Sequence, residues 1–296
     1  MKMKMSWTRT FNSDTMENLK EYGSHYKIMC REVPWNDRVE TTEKMTVDAD
    51  SVIFDEIRRF TSSISSVDIR EKLKVHVRNV FDRRGLIRSY VYLLAEKCSG
   101  RIKSIEGEIV FGTQKVPDIK LGINMERKGR RRETFEHLSQ NTSLTDMEAA
   151  QDTIKILGTH LLTLRDRIRN ITSKNFPNAT FSTEPDKYCA RKYNLSFSYD
   201  YDLYLFGLQT MQREREGIVQ SLNISSVLRW LGFENIKEYI MACLLQGTDY
   251  NRGIKGIGKV RAKKRVKEGL EFYDHRIPEF AKNEMANAYQ FFTNGE

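Results

Sequence analysis

Long apolar runs, paired cysteines and prolines are scarce in this chain of 296 residues, and each shortage closes a route. No stretch approaches the roughly eighteen consecutive apolar residues that a membrane-crossing helix needs. The first residues, MKMKMSWTRTF, lack the apolar run of a secretory signal, so a soluble, intracellular protein is expected. Cys30, Cys98, Cys189 and Cys243 are widely scattered without a C-x-x-C pair, so neither a disulfide framework nor a zinc knuckle is suggested and reduced core thiols are expected. His25, His76, His137, His160 and His275 are equally dispersed, so the ligands of any metal should be carboxylates. With only five prolines and no repeat or low-complexity linker, the chain reads as a continuous, helix-rich globule. Its length fits one large domain, or a large domain with a small appendage.

What is abundant is positive charge. Lys and Arg total 49 against 40 Asp and Glu, a formal +9 with a pI near 9.2, and a surplus of that size favours a polyanionic partner. Nucleic acid and an acidic membrane both qualify. The membrane is disfavoured because no helical stretch pairs a basic face with large apolar anchors.

Residues 1–44 are polar and irregular, with Trp7 and Trp35 as expected anchors. Residues 45–48 (MTVD) predict a short buried strand running into a helix from Ser51 to about Phe60. Helical spacing recurs over 67–97, and Ile109, Val110 and Phe111 before Gly112 predict a second buried strand. A charged helix is expected over 125–138. Residues 143–146 (SLTD) read as a capping box for a long helix with Ile154, Leu157, Leu161, Leu164 and Ile168 on one face. A third strand over 194–199 ends at Asp200. Strands alternating with helices predict an α/β fold with a mostly parallel sheet, whose site lies at the carboxyl ends of the strands.

Asp48, Asp200 and Asp202 would then converge on one sheet edge. Asp200 and Asp202 are two apart, so in an extended segment both point to one side. Carboxylates that close raise each other's pKa unless a cation lies between them, and oxygen-only ligands suit Mg²⁺ or Mn²⁺. Glu184 and Asp186 form a second such pair in 182–186 (STEPD). There Thr183 and Asp186 look like a capping box and Pro185 fits a first helical turn, so these acids are also explained by the helix dipole alone.

Residues 247–258 (GTDYNRGIKGIG) are the most informative stretch. Gly253, Gly256 and Gly258 allow a tight turn between two helices whose free N–H groups can face a phosphate. Lys255, Lys259, Arg261, Lys263 and Lys264 supply charge around it, which is backbone binding without base readout. This segment resembles the flap endonuclease and XPG family, and four further matches occur in order. Residues 227–249 are similar to the approach to that family's helix-two-turn-helix, 199–207 (YDYDLYLFG) to its two aspartates before Phe-Gly, and 182–190 (STEPDKYCA) to its acidic helix start. Residues 47–51 (VDADS) resemble the strand with the first metal-binding aspartate, placed at Asp48, with Asp50 the lesser choice.

The resemblance implies a PIN-like α/β core over 45–215 after a divergent extension over 1–44, then a helix-two-turn-helix region with terminal helices over 216–296. It implies two divalent ions, Mg²⁺ or Mn²⁺, one held by Asp48, Glu184 and Asp186 and the other by Asp200, Asp202 and Asp249. It also implies a monovalent cation, often potassium, in the glycine turn. Residues 111–132 resemble the stretch leading into the family's gateway helix, where Lys120 and Arg127 would steer the phosphate. The implied activity is hydrolysis of DNA at 5′ flaps, ends or branches in replication, repair or recombination, in a nucleus or at a viral replication site, with an RNA substrate left open. Two departures stand against this. The family's aspartate after the phenylalanine of the second strand is replaced by Gly112, and its glycine-bearing amino terminus has no counterpart. A nucleic-acid-binding scaffold without turnover is therefore the alternative reading.

Overall fold

The computed structural model describes residues 33–37, 43–63, 80–113, 115, 117–122, 125, 129, 133, 161–162, 164–270 and 274–294. In chain order the elements are β1 (Asn36–Asp37), β2 (Met45–Asp48), α1 (Ala49–Ser63), α2 (Val80–Lys103), β3 (Glu108–Gly112), α3 (Arg165–Ser173), β4 (Thr180–Ser182), α4 (Pro185–Lys192) and β5 (Leu195–Phe197). There follow a 3₁₀ helix (Tyr201–Phe206), β6 (Thr210–Arg215), β7 (Ile218–Asn223), α5 (Ile224–Leu231), α6 (Ile236–Gln246), α7 (Lys259–Lys267) and α8 (Glu279–Thr293).

The strands form one seven-stranded sheet in the order β1-β7-β6-β5-β2-β3-β4. Strands β4, β3, β2, β5 and β6 run parallel to their neighbours, while β6 and β7 form an antiparallel hairpin to which β1 adds an antiparallel edge. The expected α/β architecture with a mostly parallel sheet is what the chain adopts. Because the chain proceeds outward from β2 to β3 and β4 on one side, and to β5 and β6 on the other, the strand order reverses between β2 and β5. Such a reversal opens a crevice at the carboxyl ends of the strands.

Alternation along the strands builds two cores. Met45 and Val47 of β2, Phe111 of β3, and Leu195 and Phe197 of β5 join Val52, Ile53 and Ile57 of α1 and Leu94, Cys98 and Ile102 of α2 on one face. Val110 faces the other way, into a core with Cys189 and Ala190 of α4, the 3₁₀ helix and α5 to α8. The period of two means that Thr46 and Asp48 share the α4 face, and Thr46 indeed donates its hydroxyl to the Cys189 carbonyl at 3.0 Å. Each fully buried Val, Ile or Leu contributes about 1.5–3 kcal/mol. Both layers are thus anchored to the strands that carry the acids.

The β6–β7 hairpin turns at Glu216 and Gly217, which take positive φ of 55° and 81°, the backbone of a two-residue hairpin turn. The α4-side core runs from Val33 and Val110 through Phe292, and the expected anchor Trp35 packs against it. Strand β1 joins the sheet at its edge. Two local expectations are corrected. Leu164 is the N-cap of α3, which places Ile168 on a helix of its own. Thr183 forms no capping box: Glu184 is the N-cap of α4 without a side-chain cap bond, and Ser182 Oγ accepts from Glu184 N at 3.1 Å. Nearly all of the charged helix expected over 125–138, with Arg127, and the capping box at 143–146 lie outside the described residues.

Candidate active site

Parallel register brings the ends of β2, β3, β4 and β5 to one edge, and the acids follow directly from them. After β5 the chain does not stay extended. Asp200 caps the 3₁₀ helix, accepting from Asp202 N at 3.1 Å, and this tight turn, rather than strand alternation, brings the two carboxylates together. Asp249 arrives from the turn after α6. Asp200, Asp202 and Asp249 each offer a carboxylate oxygen, and these oxygens all lie within 4.8 Å of one another.

Asp202 is fully buried, and burial together with the Asp249 charge pushes its carboxyl well above the usual range. Ionised, such a trio repels itself unless a cation joins it, and an all-oxygen donor set fits Mg²⁺ or Mn²⁺. The residues present therefore fit a divalent ion.

Asp48 has two structural partners on the same edge. Its Oδ1 accepts from Ser51 N at 3.1 Å, which caps α1, and its Oδ2 accepts from Ser198 Oγ at 2.7 Å. Burial first, and then the Asp186 charge, push the Asp48 carboxyl up to about 7 despite the Ser198 bond. Asp186 behaves oppositely. Burial would raise it, but the Lys120 ammonium 2.7 Å from its Oδ2 outweighs burial and holds it below the usual carboxylate range. The Tyr250 hydroxyl donates to the same oxygen at 3.1 Å, and Lys120 Nζ lies 4.3 Å from the centroid of the Tyr250 ring. Lys120, Asp186 and Tyr250 form one cluster beside Asp48.

Of the acids expected to bind metal, Glu184 is set apart. It is half-buried and its charged neighbour is Lys187 at 3.9 Å; like Asp48 and Asp186, it does not join the trio. Asp118 is exposed. Sequence reasoning missed Tyr250, although it directly follows Asp249, and Ser198, whose signal is its place two residues before Asp200 at a strand end. It also missed Asn251, which is fully buried and ties the turn together: its side chain accepts from Thr248 Oγ1 at 2.8 Å and donates to Leu244 O at 2.8 Å.

The turn continues as an interface. Gly253 is buried where a Cβ would lie 2.2 Å from the Gln246 carbonyl oxygen and 2.6 Å from Gly247 N, so only glycine fits. Gly256 takes φ 81°, and Gly258 is the N-cap of α7. Lys255, Lys259, Arg261, Lys263 and Lys264 are all exposed around this helix start, where the helix dipole favours an anion.

Fold and site define a class: an α/β protein that gathers carboxylates at the switch point of a mostly parallel sheet, with a glycine turn and a basic helix following the last of them. No protein-family model matches the chain, and no curated protein matches it. Among solved structures it is similar to flap endonuclease-1 from Methanococcus jannaschii, at 19% identity and a TM-score of 0.46 over 88% of this chain and 82% of that one. It is similar to the catalytic core of Rad2 in complex with DNA substrate, at 18% identity and 0.45 over 93% and 87%. It is also similar to the T5 D15 protein co-crystallised with metal ions, at 17% identity and 0.42 over 84% and 85%.

Proposed function

We propose that the chain is a metal-dependent, structure-specific nuclease that hydrolyses phosphodiester bonds at 5′ flaps, ends or branches of DNA. The observation that carries this reading is the convergence of Asp200, Asp202 and Asp249 within 4.8 Å, with Asp202 fully buried, at the switch point of the sheet. Asp200, Asp202 and Asp249 would hold one divalent ion, and Asp48 and Asp186, with Glu184 from the N-cap of α4, a second. Bound there, such ions activate water and offset charge on the phosphate and the leaving oxygen.

The chain's own residues do the rest. Lys120, 2.7 Å from Asp186, would leave it to meet a phosphate, so that its charge is available where charge develops in the transition state. Tyr250 keeps Asp186 oriented through that exchange. Arg127 would extend the phosphate contact from the same segment. The turn from Gly253 to Gly258 and the cations of α7 would hold the duplex by its backbone, so substrate geometry rather than base sequence sets specificity.

A second reading rests on one observation. Asp186 is already paired with Lys120 and Asp50 with Arg169, so two acids of the edge are neutralised by the chain itself. A scaffold that binds nucleic acid without cutting would keep those pairs. Cleavage of end-labelled 5′-flap, blunt-duplex and single-stranded substrates with Mg²⁺ or Mn²⁺, by the parent and by Asp202→Asn, separates the two. Metal-dependent cutting that Asp202→Asn abolishes supports the nuclease, whereas binding without cutting in either metal leaves the scaffold.

A further inference from the structure

Gly112 ends β3 at the position where an acid is absent, and its backbone does not explain the glycine. Its φ is not among the positive values, so any L-residue could adopt this conformation. What a side chain there would displace is the Asp50 carboxylate. A Cβ on residue 112 would lie 2.5 Å from Asp50 Oδ2, 3.4 Å from Pro185 Cγ and 3.5 Å from Arg169 Nη1. The Asp50 carboxylate therefore occupies the volume into which a residue-112 side chain would project. It is held there by the Gly112 N–H, which donates to Oδ2 at 3.0 Å, and by the Arg169 guanidinium at 3.6 Å.

Parity in the strand shows which way that volume faces. Gly112 is two residues after Val110, so a side chain there would share Val110's face, which is also the α4 face carrying Asp48. Asp50 comes from the first turn of α1, two residues beyond Asp48, close enough for its charge to act on Asp48 and for that of Asp186 to act on it.

We propose that Asp50 takes the place of the acid absent from β3: its carboxylate enters the candidate metal centre from α1, over the space that Gly112 leaves open. The inference rests on the metal-dependent reading above and assigns a residue to it. The carboxylate set then keeps its charge although one strand end has lost its acid, and Arg169 limits the cost of burying one more negative group beside Asp48. Gly112 and Asp50 form an exchangeable pair, in which only one of the two positions can carry an acid.

Mn²⁺ titration followed by electron paramagnetic resonance, on the full chain without nucleic acid, tests this directly. Asp50→Asn keeps an acceptor for the Gly112 N–H and so preserves the fold, and it should weaken Mn²⁺ binding about tenfold or more at one site. Asp50→Ala should do the same, and Asp50→Ala combined with Gly112→Asp should recover most of the lost affinity. Gly112→Ala alone should weaken Mn²⁺ binding by expelling the Asp50 carboxylate. Parent-like binding by Asp50→Asn and Asp50→Ala, while Asp202→Asn and Asp48→Asn lose Mn²⁺, would overturn the proposal and leave Asp50 as a tie between β3 and Arg169. If the parent itself binds no Mn²⁺, or neither Asp202→Asn nor Asp48→Asn changes binding, the metal-dependent reading fails and the role of Asp50 fails with it.

Discussion

Asp48 is asked to cap a helix, to accept from Ser198 and to stay close to Asp186, and these demands set its titration. Unfolded, an aspartate titrates near 4; folded and without metal, Asp48 titrates at about 7. Below about pH 4 both states hold the proton and the contribution to stability is complete. As pH rises through 7 the unfolded chain has already released the proton and the folded one is forced to, so that contribution is lost. In a chelator, the melting temperature of the parent should therefore fall between pH 4 and pH 7.5 more steeply than that of Asp48→Asn. Mn²⁺ should restore the parent at the upper end. Parallel curves for the two proteins would contradict the raised carboxyl. Lys120 gives the complementary residue-scale prediction. Lys120→Met keeps the aliphatic stem but removes the charge, and kcat should drop about 100-fold with little change in KM if the ammonium acts on developing charge. A change in KM alone would reduce Lys120 to a binding contact.

At the scale of elements, the sequence was legible where local rules suffice. Met45–Asp48, which alternates apolar Met45 and Val47 with Thr46 and Asp48, and the apolar run before Gly112 were readable as short strands from period two and from continuous apolarity respectively. The β6–β7 hairpin was not, since residues 210–215 (TMQRER) lack clean alternation and the hairpin turn is Glu-Gly rather than Asn-Gly. Asp200 and Asp202 were placed together for the wrong local reason: a 3₁₀ turn, and not extended backbone, brings them together. Asp50 was the lesser choice because what distinguishes it, the space beside Gly112 that its carboxylate fills, exists only once α1 and β3 pack. The α6–α7 turn permits a sharper test. Gly253→Ala places a methyl 2.2 Å from a backbone carbonyl that cannot swing away, so it should cost at least about 2 kcal/mol and lower the melting temperature by at least about 4 °C. Gly258→Ala, with nothing within 4 Å of the added carbon, should cost well under half of that by the same scan. Equal losses at the two positions would mean that packing does not dictate the turn.

Across the whole molecule the charges are segregated by role: acids converge where the sheet reverses order, while the cations of the glycine turn and α7 are exposed. The net charge of +9 sets a general attraction to polyanions, which alone would make binding diffuse. If Lys255, Lys259, Arg261, Lys263 and Lys264 hold the duplex by its phosphates, binding must release a countable set of ions. The plot of log affinity against log salt should slope by about −0.9 for each phosphate neutralised, which gives about −4 to −5 for five contacts. Lys259→Ala with Lys263→Ala should make that slope shallower by about two, weaken flap and blunt duplex alike, and leave Mn²⁺ binding at the carboxylates unchanged. Substitution of two exposed cations of α2, Lys97 and Lys103, should lower affinity slightly without altering the slope by whole units. Fluorescence anisotropy with labelled duplexes over a series of salt concentrations measures it. A slope that the α7 substitutions do not change would move the duplex to another face, and would separate the basic helix from the carboxylate edge it is proposed to serve.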